Sequence, residues 1–250
     1  MMPRETSPPG PVGLFITGTD TGVGKTFVTC LLARQMRAGG RPVRVCKPVA
    51  TGAEQVNGRW LADDTRRLAE AAGLDGERRG VSPPVGEWER ITPWSFPEPV
   101  APPVAARRHG VKLDLAEMAA AVGRAAEPNV PLLVEGVGGL LCPLTDSATV
   151  ADLAALLKLP LVVVARRSLG TLNHTLLTLE VARGRGLAVA GVVVNEVTPP
   201  EGLAEATNVT ELRRHTAVPI LAVVPHRAEE LPEPCPQLAA LLSEAIACRL

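Results

Sequence analysis

The sequence contains no tyrosine, and only three tryptophans and three phenylalanines in 250 residues. Proteins that hold single-stranded nucleic acid stack its bases on aromatic rings, and this chain has few to offer. It also lacks an excess of either charge: 26 lysines and arginines face 26 aspartates and glutamates. Without a basic field, neither nucleic acid nor an anionic membrane is an expected partner. The five cysteines, at 30, 46, 142, 235 and 248, form no CxxC pair and are odd in number. A disulfide framework or a zinc site is therefore not expected, and a reducing cytoplasm is the simplest setting. No uninterrupted apolar run reaches the length of a membrane span. Residues 1–11, MMPRETSPPGP, are rich in proline and polar groups and lack the apolar stretch of a signal peptide. They read as a disordered tail.

What is present is apolar bulk, 46% of the chain, enough for a sizeable core. It is arranged in short runs. Residues 13–17, 43–49, 131–135, 159–165, 187–195 and 220–224 read as strands, several of them apolar throughout. Between them, 26–38, 62–72, 113–126, 150–157, 172–183 and 203–215 carry helical spacing, and 238–248 reads as a last helix. The proline-rich stretch 81–103, with Trp88, Trp94 and Phe96, reads as an ordered surface loop. Strands buried on both faces and alternating with helices imply a mostly parallel sheet between helix layers. No composition break or internal repeat divides the chain, so residues 12–250 are expected to form one α/β domain.

The first strand runs into Gly18-Thr19-Asp20-Thr21-Gly22-Val23-Gly24-Lys25-Thr26 and then a helix, the context a phosphate-binding loop requires. Glycines let backbone N–H groups turn toward phosphate oxygens, and the helix adds its positive end. Lys25 supplies a mobile charge for the outer phosphates. The Thr26 hydroxyl can ligate Mg²⁺. The usual P-loop has glycine where this chain has Thr19; here the glycine is one residue earlier, at Gly18. The competing reading, a glycine turn without a ligand, does not explain Gly24-Lys25-Thr26 in this context.

Ligands of open parallel sheets sit at the carboxyl ends of strands. Lys47 lies there on the second strand, either as a snorkelling edge residue or with an anionic partner. Thr51 follows in a glycine-containing turn and can donate to the same ligand. Glu135 ends a wholly apolar strand ahead of Gly136, Val137 and Gly138, where P-loop enzymes keep an acid near Mg²⁺. Asp63 and Asp64 can be metal acids or ordinary acids of a helix first turn. Asn195 can recognise a base edge or simply start a turn.

Seven segments together resemble the dethiobiotin synthetase family: GTDTGVGKT at 18–26, KPVATG at 47–52, Asp63-Asp64, TPWSFPEPVAP at 92–102, VEGVGGLLCPL at 134–144, LGTLNHTLLT at 169–178 and NEVTPP at 195–200. The longer glycine gap of the loop is a feature of that family. The resemblance covers roughly residues 13–230. It implies a single-domain P-loop NTPase fold and a homodimer with active sites at the subunit interface. It also implies ATP-dependent carboxylation and ring closure of 7,8-diaminononanoate with CO₂.

By motif match, Lys25 and Lys47 are the catalytic lysines. Thr26, Asp64 and Glu135 hold Mg²⁺, Asp64 being preferred to Asp63 by the match of the following helix. Gly22, Val23, Gly24, Lys25, Thr26, Phe27, Asp64, Glu135, Gly136, Val137 and Gly138 surround the nucleotide. Asn195, Glu196, Pro225 and His226 resemble the adenine edge. Thr21 and Thr51 contact the diamine, and Leu169, Gly170 and Asn173 reach the diamine of the partner subunit. Some family members carry glutamate where this chain has Gly22, and aspartate can stand at Glu196.

Three rival readings are weaker. A ParA/MinD-like ATPase switch carries a lysine where this chain has Asp20. A cobyrinate-type amidotransferase needs a glutaminase domain, for which 250 residues leave no room. A pure nucleotide-binding module has no use for Lys47 beside Thr51.

Overall fold

Hydrophobic runs such as LFI and LVVVA have no polar face, so they are stable only where both faces of a strand are covered. The computed structural model, which describes residues 12–74, 86–232 and 240, buries them in this way. Six strands form one parallel sheet: β1 (Gly13–Gly18), β2 (Arg44–Cys46), β7 (Leu132–Glu135), β8 (Leu161–Arg166), β9 (Val189–Asn195) and β10 (Ile220–Val224). Their order is β10-β9-β8-β1-β7-β2, with β1 between β7 and β8. The expected α/β fold with a parallel central sheet is the observed one.

Successive strand residues point to opposite faces. Leu14, Ile16, Leu133, Val162 and Val164 therefore join one core with α1 (Lys25–Ala38) and α2 (Asp63–Ala72). Phe15, Leu132, Val134 and Leu161 join a second core with α5 (Leu115–Ala125) and α6 (Val150–Leu157). Further along that second face, Val163, Val192 and Val194 pack on α7 (Thr171–Gly184) and α8 (Leu203–His215). Burying one such aliphatic side chain contributes about 1.5–3 kcal/mol, and β7 and the apolar part of β8 have no exposed residue.

The expectation for residues 43–49 is corrected in part. The run is two strands, β2 and β3 (Val49–Thr51), separated at Lys47-Pro48 because proline cannot donate to a ladder. The loop reading of 81–103 is corrected more deeply; its residues 81–85 lie outside the described ones. The remainder holds α3 (Glu87–Ile91) and β6 (Trp94–Phe96), and Pro102 opens α4 (Pro102–Arg108). Proline is compatible with a first helical turn, where its missing N–H has no partner to lose. β6 pairs in parallel with β3, Ala50 opposite Ser95. A hairpin absent from the sequence reading joins β4 (Glu54–Val56) to β5 (Arg59–Leu61) through Asn57-Gly58, both at positive φ. The expected tail at 1–11 and the expected helix at 238–248 lie outside the described residues, apart from residue 240.

Candidate active site

Strand register brings the chemistry together. β2 lies beside β7 with Cys46 opposite Val134. The next residues, Lys47 and Glu135, are consequently neighbours at the carboxyl end of the sheet. On the other side of β7, Ile16 of β1 stands opposite Glu135, so the loop leaving β1 passes over the same acid. Arg166 ends β8 beside Asn195, which ends β9.

The loop turns into α1 through Gly24, which caps the helix at φ 92°. A side chain there is doubly disfavoured, since a Cβ would stand 2.1 Å from Asn195 Nδ2. Asn195 is buried, and its Nδ2 donates to the Val23 carbonyl at 3.0 Å, tying the end of β9 to the loop. Among the described residues its Oδ1 has no partner. Gly22 also has positive φ, at 72°, and faces open space. Val23 is fully buried and packs in the core.

Thr26 Oγ1 donates to Glu135 Oε1 at 2.7 Å, and Lys47 Nζ donates to the same oxygen at 2.8 Å. Lys47 Nζ also pairs with Asp64 Oδ2. Glu135 is 0% exposed and Lys47 5%. Burial disfavours the Lys47 ammonium, but Glu135 and Asp64 beside it outweigh that and hold its pKa above the ordinary value. Burial likewise works against the Asp64 carboxylate, and Lys47 overcomes it to lower the pKa. Lys25 lacks such a close carboxylate. Its Nζ donates to the Asp20 carbonyl at 2.9 Å. Burial first, against a raising effect from Glu135, and then the charge of Lys47 bring its pKa down to about 8.

The choice between the two aspartates is made by helix phase. Asp64 reaches Lys47, whereas Asp63 is exposed and pairs with Arg66 at 3.2 Å. Thr26, Asp64 and Glu135 thus converge, and Glu135 Oε2 is buried without a partner among the described residues. An oxygen donor set with two carboxylates suits Mg²⁺, which takes its remaining ligands from water and phosphate. Among the described residues, no three His, Cys, Asp or Glu side chains cluster as a metal site.

Lys25, Thr26, Lys47 and Asp64 line one cavity of about 350 Å³, together with Thr21, Gly22, Gly24, Phe27, Thr51, Val137 and Gly138, while Glu135, fully buried, touches it through Thr26 and Lys47. Gly136 sits behind it: a Cβ there would come within 3.0 Å of Val150 and 3.2 Å of Phe15. Glu196 is engaged elsewhere, pairing with Arg167 and accepting from the His226 N–H at 3.2 Å. The His226 ring stands 3.3 Å from the Glu196 carbonyl, and the Pro225 carbonyl accepts from Ala228. Glu196 thus links the end of β9 to the turn after β10. Leu169, Gly170 and Asn173 do not line the cavity; they are exposed at the start of α7. Asp20, at the position of the rival switch lysine, accepts from its neighbour Thr21 N–H and pairs with Arg166 at 3.1 Å.

One lining residue was not singled out by sequence. Arg67, on α2, faces the cavity. An exposed arginine next to another on a helix reads as solvated charge. The signal available was its spacing of three residues from Asp64, which places both on one helix face.

A phosphate loop at the central strand, with lysines and acids from the flanking strand ends, defines a P-loop nucleotide-binding protein. Residues 12–233 match the family model of an AAA domain. A dethiobiotin synthetase of Anaeromyxobacter dehalogenans strain 2CP-C, described as ATP-dependent dethiobiotin synthetase BioD, is 45% identical over 85% of this chain and 89% of its own. The protein of the same description from Aromatoleum aromaticum is 40% identical over 87% and 92%, and that from Anoxybacillus flavithermus 36% over 86% and 91%. Among solved structures, the cell division protein FtsY of Thermotoga maritima is a distant likeness, with TM-score 0.47 and 18% identity over 94% of this chain and 69% of that one. The chain belongs to the ATP-dependent dethiobiotin synthetase family, ATP-dependent ligases of biotin synthesis.

Proposed function

We propose that the protein carboxylates 7,8-diaminononanoate with CO₂ and closes the ureido ring of dethiobiotin, converting ATP to ADP and phosphate. The observation that carries this reading is Lys47, a buried ammonium held between Glu135 and Asp64 in the phosphate-loop cavity. A nucleotide alone is served by Lys25. A second buried lysine fits a site in which two anions must meet.

The first step joins an amine nitrogen of the diamine to the carbon of CO₂, releasing a proton and forming a carbamate. A carbamate oxygen then attacks the γ-phosphorus, and ADP leaves. The second amine attacks the carbonyl carbon of the resulting anhydride, phosphate departs, and the five-membered ring closes. Carbamate and γ-phosphate repel each other. Lys25 and Lys47 offset that repulsion and the charge that develops in transfer. Thr26, Asp64 and Glu135 would hold Mg²⁺, which would supply positive charge to offset that of the phosphates. Gly22 to Phe27 and Gly136 to Gly138 wrap the nucleotide, and Asn195, Glu196, Pro225 and His226 form its adenine edge. The buried, unpartnered Oδ1 of Asn195 is an acceptor suited to an exocyclic amine. Thr21 and Thr51 orient the diamine.

Leu169, Gly170 and Asn173 complete the diamine site of a second copy in a homodimer. Supporting this, Leu169 just before α7 and Leu177 on it are 86% and 57% exposed, apolar surface that a second copy would cover. Residues 12–250 act as one synthetase unit, in the cytoplasm. Among the described residues, no helix is long and apolar enough to cross a membrane.

The Lys47→Ala variant tests the lysine's role. Turnover is expected to vanish while Mg-ATP still binds. Loss of nucleotide binding in step with turnover would make Lys47 a nucleotide ligand only.

A further inference from the structure

Three cations line the phosphate-loop cavity, and two of them are engaged. Lys25 donates to the Asp20 carbonyl and Lys47 pairs with two carboxylates. The third, Arg67, enters none of the ion pairs formed among the described residues, although its neighbour Arg66 pairs with Asp63. Its backbone is fixed: the Cys30 thiol donates to the Arg67 carbonyl at 3.4 Å, joining α2 to the helix that carries the phosphate loop. One turn earlier on the same face stands Asp64, beside Lys47.

Charge makes the point sharper. Asp64 shares the cavity wall with Lys25, Lys47 and Arg67, and the buried Glu135 pairs with Lys47. Without Arg67, the side-chain charges of the two lysines and two carboxylates cancel, leaving only the loop N–H groups and the helix end to attract a polyanion. We propose that Arg67 is a phosphate-binding residue of this site, donating from α2 to the β- and γ-phosphate oxygens of Mg-ATP. This rests on the ATP-dependent reading of the cavity. A guanidinium suits the task because its fork can span oxygens of one or two phosphates.

The test measures dissociation constants of Mg-ATP, Mg-ADP and AMP by calorimetry, for the full chain and for Arg67→Ala, Arg67→Lys and Arg66→Ala. Arg67 is exposed, and coincident thermal melts check that the variants fold. Arg67→Ala is expected to weaken Mg-ATP by about tenfold or more, as loss of a charged hydrogen bond does. Mg-ADP should weaken less and AMP not at all. Arg67→Lys should recover part of the loss, and Arg66→Ala should bind as the parent does. Unchanged Mg-ATP affinity in Arg67→Ala, or an equal loss for AMP, overturns the proposal. A parent protein that binds no Mg-ATP overturns the ATP-dependent reading and this inference with it; a parent that binds while Arg67→Ala is unaffected overturns the inference alone.

Discussion

At the scale of single residues, the two lysines of the site are tuned in opposite directions. Lys47 is locked as an ammonium by Glu135 and Asp64. Lys25, buried and faced by the Lys47 charge, has a pKa near 8. The phosphate-binding form of Lys25 is the protonated one. Below pH 8 the empty site already carries that proton, so affinity for Mg-ATP should be flat. Above it, binding must take up a proton, and affinity should fall toward about tenfold per pH unit. Calorimetry between pH 7 and 9.5 in buffers of differing ionisation heat reads this directly, with proton uptake expected only on the alkaline side. A flat affinity across that range would show that Lys25 stays charged in the empty site.

Much of this was legible residue by residue. Lys25 and Thr26 announce themselves through the glycine-rich loop between a strand and a helix, and Lys47 and Glu135 because charge at the end of an apolar strand is costly without a ligand or partner. Asp63 and Asp64 do not separate by residue chemistry, because both suit a helix first turn; the family match favoured Asp64, and the phase of α2 sends it to Lys47 and Asp63 to Arg66. Arg67 was hidden because its role depends on which way α2 faces.

At the scale of elements, the long strands and helices were readable because each has one consistent period. The region after β2 was not. Its short pieces are held by contacts distant in sequence: β6 on β3, and α3 on β2. Asn57-Gly58 did carry a hairpin signal that the strand pattern around it, too polar for a core, obscured.

α3 in particular is anchored by Glu87, whose carboxylate meets Arg44 of β2 at 2.5 Å with both side chains almost fully buried. Removing one member leaves a buried charge. Arg44 keeps the half-exposed Glu127 at 3.5 Å, so Glu87→Ala is expected at the low end of such losses, about 3 kcal/mol. Denaturant unfolding monitored by circular dichroism measures it. A loss below about 1 kcal/mol, the range of surface pairs, would mean that α3 is not held by this contact.

At the scale of the whole molecule, the parallel sheet is what makes the site. β1 sits between β7 and β8, and the carboxyl ends of five neighbouring strands deliver the phosphate loop, Glu135, Lys47, Arg166 and Asn195 to one edge. Sequence pattern was sufficient to read a parallel sheet between helix layers, since apolar strands alternating with helices admit few alternatives, but it did not give the strand order. It was not sufficient to read the pairings across the edge, which depend on register.

The central claim is that this edge joins a carbamate to a phosphoryl group and then closes a ring. Purified protein given 7,8-diaminononanoate, ¹³C-bicarbonate and Mg-ATP tests it, with products followed by mass spectrometry. The account predicts dethiobiotin carrying one ¹³C at its ureido carbon, with one ADP formed for each product molecule. ATP turnover without a labelled ureido product, at saturating diamine and bicarbonate, would contradict it.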